Sequence, residues 1–138
     1  MLNLIQGFPK HIKEAVLIFN QTDISSLDAI DNVVITGLGG SGIGGTIASE
    51  VVSKDCSIPI IVNNSYHLPA FVNERTLVIA CSYSGNTEET LTCLGQAEEM
   101  RAQISVITSG GVLLDKAKAS GLDHVVIPGG NPPRSMLG

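Results

Sequence analysis

Residues 33–45 have the sequence VVITGLGGSGIGG, in which four β-branched residues precede nine positions that hold six glycines. β-branched side chains pack well in strands, and glycine permits tight backbone turns. A glycine-rich turn between a strand and a helix is typical of the first unit of an α/β sheet. The segment therefore predicts a strand, a close-packed loop and a helix that begins at residue 41.

Four more short apolar runs follow, so strands are predicted at residues 33–36, 58–62, 76–80, 104–108 and 124–127. The runs lack polar alternation, as in parallel strands that are covered on both faces. Helices are predicted at residues 9–20, 41–54, 68–74, 86–101 and 112–120. This alternation builds right-handed crossovers, so we predict an α/β fold: a three-layer, doubly wound, five-stranded parallel sheet of flavodoxin-like order 2-1-3-4-5.

The composition limits the class of protein. The 138 residues are 43% hydrophobic and 15% charged, which predicts one folded domain. The net charge of −5, with no cluster of basic residues, argues against nucleic acid or an anionic membrane as a partner. Three cysteines without a CxxC pair suggest neither zinc nor disulfides, and no apolar run is long enough to span a membrane. We expect a soluble, cytoplasmic protein.

The glycine loop is suited to binding phosphate, because backbone N–H groups without a neighbouring Cβ can approach an anion at a helix N-terminus. The alternative is that the glycines only turn the chain and pack helix against strand. Gly37, Gly39 and Gly42 form a GxGxxG pattern, but Asn63 and Asn64 stand where a dinucleotide-binding domain has an acid for the ribose. No lysine completes a P-loop. A dinucleotide-binding domain therefore stays a third hypothesis.

The loop after the third strand has the sequence CSYSGNTEET, residues 81–90, and again precedes a helix. The loop supplies three hydroxyls, those of Ser82, Ser84 and Thr87. A single helix cap needs only one of them. Hydroxyls and free N–H groups can surround a phosphate without a basic side chain. In the predicted strand order, both loops flank the crevice between strands one and three, where ligands bind in this fold.

Simpler roles compete for other residues of this loop. Asn86 and Glu89 have the spacing of a capping box, and Glu88 and Glu89 suit the positive end of a helix. They are therefore not predicted to be catalytic bases. None of the three histidines suggests a catalyst, and no spacing suggests a metal site, so no cofactor is expected.

The segments GLGGSGIGG, SYSGNTEET and PPRSMLG together resemble the sugar isomerase (SIS) family, and within it the N-terminal SIS domain of bifunctional phosphoglucose/phosphomannose isomerases. The resemblance covers about residues 31–138. It implies that residues 1–30 form a leading helix and linker, that residues 31–138 form the SIS domain, and that a second SIS domain belongs downstream.

The resemblance also implies roles for particular residues. Ser82, Ser84 and Thr87 would hold the 6-phosphate of the sugar, and Gly40 and Ser41 would line the sugar. The family interconverts glucose 6-phosphate or mannose 6-phosphate with fructose 6-phosphate through a cis-enediol, within glycolysis and gluconeogenesis.

Arg134, in the PPRSMLG segment, matches the arginine that stabilises the charged intermediate in this family. The family's glutamate base and ring-opening histidine come from the second SIS domain or a partner subunit, so we expect a homodimer and little turnover by these residues alone. An alternative function is a non-catalytic, sugar-phosphate-sensing regulatory module, because the same two loops would serve it.

Overall fold

The computed structural model describes residues 2–24 and 28–130, and a single parallel sheet of five strands forms its centre. The strands are β1 (Asn32–Thr36), β2 (Ile60–Asn63), β3 (Thr76–Ser82), β4 (Gln103–Thr108) and β5 (Asp123–Val126). The helices are α1 (Leu2–Gln21), α2 (Gly40–Val52), α3 (Glu88–Glu99) and α4 (Gly111–Ser120). The strand order β2-β1-β3-β4-β5 confirms the predicted α/β fold.

The main core lies between the sheet and the pair α3 and α4. Alternate strand residues point to this face, and the strands and helices contribute the fully buried Val34, Val78, Val106, Leu94 and Leu113. On the opposite face α2 packs closely on β1, since a Cβ on Gly45 would lie 2.8 Å from Ile35 Cγ2. Helices therefore cover both faces, as the apolar strands predicted.

The predicted helix at residues 68–74 is wrong, because β2 and β3 are joined by turns. Asn73 Oδ1 accepts a hydrogen bond from the Arg75 N–H at 2.8 Å, and such side-chain contacts compete with helical hydrogen bonds. Leu68 and Val72 are nonetheless buried in the core. Their four-residue spacing reflects burial against α3 rather than a helix.

The leading helix is longer than predicted, since α1 begins at Leu2 instead of residue 9. Residues 22–24 and 28–31, between α1 and β1, contain no helix or strand. No helix among residues 2–24 and 28–130 combines the length and hydropathy that crossing a bilayer requires.

Helices α3 and α4 end in the same way. Past α3, Arg101 has φ 56°, and the Ala102 N–H donates to the Ala97 carbonyl at 2.9 Å. Past α4, Gly121 has φ 65°, and the Leu122 N–H makes the equivalent bond at 2.8 Å. Both ends are Schellman motifs, whose left-handed residue is usually glycine. Arg101 therefore adopts a strained conformation that glycine would relieve.

We expect Arg101→Gly to raise the free energy of unfolding by about 0.5–1 kcal/mol, because relief of the left-handed conformation exceeds the added unfolded-state entropy. Gly121→Ala is the matched reverse change, because it places a side chain on a left-handed residue. It should lower the free energy of unfolding by about 1 kcal/mol. Urea unfolding of both variants checks this. Equal stabilities for Arg101→Gly and the parent chain would contradict the assignment of strain to Arg101.

Candidate functional site

The loop between β1 and α2 is built by close backbone packing. A Cβ on Gly37 would lie 2.9 Å from the Cys81 carbonyl oxygen, and a Cβ on Gly42 would lie 2.7 Å from Asn64 Oδ1. These two glycines therefore do have the packing role that the alternative hypothesis assigned to them. Gly39 has φ 56° and precedes α2, whose first turn has no side-chain cap. The backbone N–H groups of that turn remain suited to an anion.

The predicted sugar-lining residues lie at this same helix end. Gly40 is the first residue of α2, and Ser41 follows it with its side chain 8% exposed. The Ser41 N–H donates to the Leu38 carbonyl at 3.1 Å, which closes the loop. Gly40 and Ser41 thus lie where the chain passes from the carboxyl end of β1 into α2.

The loop between β3 and α3 folds back on its own hydroxyls. Ser82 Oγ and Thr87 Oγ1 are 2.8 Å apart, and the Gly85 N–H donates to Ser82 Oγ at 3.1 Å. Ser82 is 1% exposed, whereas Ser84 is exposed and its Oγ accepts from the Asn86 N–H at 3.2 Å. The structure therefore brings Ser82 and Thr87 together, with Ser84 on the outer side of the same loop.

The predicted capping box of α3 is wrong. Asn86 Oδ1 instead accepts from the Val112 N–H of α4 at 3.1 Å, and the Gly85 carbonyl accepts from the Leu113 N–H at 2.9 Å. The residue before α3 is Thr87, whose side chain makes no cap bond. The loop therefore caps α4, while the first turn of α3 keeps N–H groups and partial positive charge for an anion.

The same loop is fixed against the connection between β4 and α4. Gly85 has φ 68°, and a Cβ there would lie 1.7 Å from the Gly110 carbonyl oxygen. Ser109 Oγ donates to the Tyr83 carbonyl at 2.6 Å. Because the β4–α4 connection and the first turn of α4 hold it, the loop has its conformation without a bound ligand.

We expect Gly85→Ala to lower the free energy of unfolding by about 3 kcal/mol, because it adds both a backbone clash and a left-handed side chain. Gly95→Ala is the control: Gly95 lies inside α3 with nothing within 4 Å of its Cβ position. It should raise stability by about 0.5–1 kcal/mol through helix propensity. Chemical unfolding measures both, and a stable Gly85→Ala variant would contradict the close contact.

A third loop, residues 63–67, also borders the site, and the sequence interpretation did not include it. Its Asn64 approaches Gly42 of α2, and the Tyr66 hydroxyl donates to Glu88 Oε2 of α3 at 3.4 Å. Gln96 of α3 holds it in place by donating to the Tyr66 carbonyl at 2.8 Å. The position of this loop in the sequence could have indicated its role, because the loop directly follows β2 and β2 is the neighbour of β1.

The amide of Asn63, where a dinucleotide-binding domain would have its acid, bonds within the protein. Asn63 Nδ2 donates to the Ser65 carbonyl at 3.2 Å and to Cys93 Sγ at 3.4 Å. Asn63 therefore secures the loop to α3.

Arg134 lies outside the described residues. Among residues 2–24 and 28–130, no three His, Cys, Asp or Glu side chains cluster as metal ligands.

Two buried thiols lie beside the site. Cys81, against Gly37, is surrounded by the sheet, and burial raises the pKa of its thiol to about 12. Burial also raises the pKa of the fully buried Cys93, although hydrogen bonds with Thr36 and Asn63 oppose the rise. Both thiols therefore stay protonated at neutral pH, which excludes them as nucleophiles.

The Cys81 pKa predicts a pH-dependent stability. Its folded value lies above the ordinary 9.0, so above that pH the thiol ionises in the unfolded chain only. Stability is fully present below about pH 9 and falls as pH rises toward 12. The difference in unfolding free energy between the parent chain and Cys81→Ala should narrow by about 2 kcal/mol from pH 8 to about pH 10.5. An unchanged difference would contradict the burial of this thiol.

Comparisons with known proteins agree with the fold, although no protein-family model matches the chain. The bifunctional phosphoglucose/phosphomannose isomerase of Caldicellulosiruptor bescii is 46% identical over 139 residues, covering 100% of this chain and 41% of the relative. The enzyme of the same name from Thermoplasma acidophilum is 49% identical over 107 residues, or 78% of this chain and 32% of the relative.

Solved structures share the fold at low sequence identity. The sugar isomerase domain of an RpiR transcription factor from Sphaerobacter thermophilus has a TM-score of 0.67 at 18% identity, covering 96% of this chain and 82% of that one. Tagatose-6-phosphate ketose/aldose isomerase from Escherichia coli has a TM-score of 0.60 at 16% identity, covering 93% and 36%.

Sheet order and these likenesses together define the class: the chain has the fold of sugar isomerase (SIS) domains and is similar over its whole length to a bifunctional phosphoglucose/phosphomannose isomerase. Within that class, its relatives at 46% and 49% identity are bifunctional phosphoglucose/phosphomannose isomerases. The chain spans about two fifths of the length of the C. bescii relative.

Proposed function

We propose that this chain is the sugar-phosphate-binding SIS domain of an aldose–ketose isomerase that interconverts glucose 6-phosphate or mannose 6-phosphate with fructose 6-phosphate. The observation that carries the proposal is the first turn of α3. Its N–H groups have no side-chain cap, because Asn86 caps α4 instead, and the hydroxyls of Ser82 and Thr87 meet beside it. A helix N-terminus with adjacent hydroxyls suits a phosphate dianion.

The remaining site residues have proposed roles around that phosphate. Ser84 completes the hydroxyl set from the outer side of the loop. Gly40 and Ser41, at the start of α2, line the sugar. Arg134 supplies the positive charge that stabilises the enediolate as the proton moves between C1 and C2.

Catalysis requires a glutamate base and a ring-opening histidine, which we propose lie in a second SIS domain or a partner subunit. The proposed organisation is a leading helix and linker at residues 1–30 and an SIS domain at residues 31–138. The chain covers only about two fifths of the C. bescii relative, so it should bind sugar phosphate but turn over little of it.

A homodimer in the cytoplasm, acting in glycolysis and gluconeogenesis, completes the proposal. Support for the dimer comes from α2, where Ile43, Ile47 and Val51 are 53%, 49% and 72% exposed. Their four-residue spacing forms one apolar stripe, and such exposed stripes commonly mark interfaces.

The phosphate site is tested by titrating the chain with fructose 6-phosphate and following backbone amide NMR shifts and thermal stability. Bound ligand should raise the Tm by mass action and shift the amides of residues 87–90. The double variant Ser84→Ala, Thr87→Ala should bind at least about tenfold more weakly, because it loses hydrogen bonds to a charged group.

Ser120→Ala is the matched control, since this exposed hydroxyl lies at the far end of α4. Inorganic phosphate should bind more weakly than the sugar phosphate, and nicotinamide dinucleotides should not bind. The absence of any shift at millimolar fructose 6-phosphate, or undiminished binding by the double variant, would refute the proposed site.

A second candidate function is a non-catalytic, sugar-phosphate-sensing module. The supporting observation is that the same fold occurs in the sugar isomerase domain of a transcription factor. The binding experiment does not separate the two functions, but an assay for glucose 6-phosphate formation by the full-length protein does. Isomerase activity that Arg134→Ala abolishes would support the enzyme, and tight binding without turnover would support the sensor.

A further inference from the structure

Two carboxylates, Glu88 and Glu89, occupy the first turn of α3, the turn proposed to receive the phosphate. With no ligand bound, they interact favourably with the positive end of the helix. Once a dianion arrives, the same carboxylates repel it and compete with it for the N–H groups. Phosphate binding there requires the carboxylate side chains to be held aside.

The structure shows such a restraint on Glu88. The Tyr66 hydroxyl donates to Glu88 Oε2 at 3.4 Å, from the loop that follows β2. Partial desolvation raises the pKa of Tyr66, and the charges and hydrogen bonds of Glu88 and Glu89 raise it further, so the hydroxyl keeps the proton that it donates.

Tyr66 is itself held in position by α3. Gln96, about two turns along the helix from Glu88, donates from Nε2 to the Tyr66 carbonyl at 2.8 Å. Its Oε1 accepts from the Leu68 N–H at 2.9 Å. Cys93 Sγ donates to the Ser65 carbonyl at 3.3 Å on the same side. The backbone that carries the Tyr66 side chain is therefore fixed relative to α3.

We propose that Tyr66 is a positioning residue that holds the Glu88 carboxylate away from the phosphate-binding turn of α3. This inference rests on the proposed function of the serine loop. Without the hydroxyl, the carboxylate turns toward the N–H groups of its own helix and competes with the ligand. Tyr66 acts through Glu88 and needs no contact with the sugar phosphate.

A double-mutant cycle tests this dependence, with the affinity for fructose 6-phosphate measured by amide NMR shifts on the 138-residue chain. Tyr66→Phe should weaken binding by roughly 3- to 10-fold, the size expected for one carboxylate brought near a phosphate. Glu88→Gln alone should bind at least as well as the parent. In the Glu88→Gln background, Tyr66→Phe should lose most of its effect on affinity, and the small remainder is the share of Glu89.

Glu99→Gln is the charge control, because it removes the same charge from the opposite end of α3 and should leave affinity unchanged. The positioning role is refuted if Tyr66→Phe binds fructose 6-phosphate with the parent affinity. It is also refuted if Tyr66→Phe weakens binding just as much in the Glu88→Gln background. In either case the phosphate site stands. If the parent chain does not bind fructose 6-phosphate at all, the proposed function fails, and the inference fails with it.

Discussion

The capping of α4 by the loop in front of α3 is the interaction on which the site depends. The first N–H groups of α4 donate to the Asn86 side chain and to the Gly85 carbonyl. These two acceptors are therefore not available to cap α3. The loop approaches the start of α4 so closely that a Cβ on Gly85 would lie 1.7 Å from the Gly110 carbonyl oxygen, so only glycine fits at position 85. The same loop thus caps the positive end of α4 and leaves the positive end of α3 without a side-chain cap.

The fold was predictable because its signals are local and repeated. Apolar runs such as residues 33–36 and 104–108 each indicate a parallel strand, and their alternation with helices restricts the strand order to few possibilities. The prediction of a helix at residues 68–74 failed because two buried residues four positions apart, Leu68 and Val72, fit a helix as well as they fit turns. The hydrogen bonds of Asn73 decide in favour of the turn, and they join it to residues only two or three positions away.

The site was predictable only in part. The hydroxyls of Ser82 and Thr87 do meet, and Gly40 and Ser41 do begin a helix, as the motifs indicated. Asn86 was misassigned because the capping spacing is correct locally, while its actual partner lies 26 residues along the chain. Tyr66 was missed because it carries no motif: tertiary contacts with Gln96 and Cys93 bring its loop to α3.

The connection from β2 to β3 has no helix, and this has an evolutionary consequence. A helical crossover can change length only by whole turns if its buried side is to stay in register. This connection is held instead by the buried Leu68 and Val72 and by the side chain of Gln96, with short hydrogen-bonded turns between them. Insertions and deletions can therefore accumulate there without disturbing the sheet, beside a site that the same loop borders. A change of length in these turns would alter the border of the candidate site and leave the five-stranded sheet as it is.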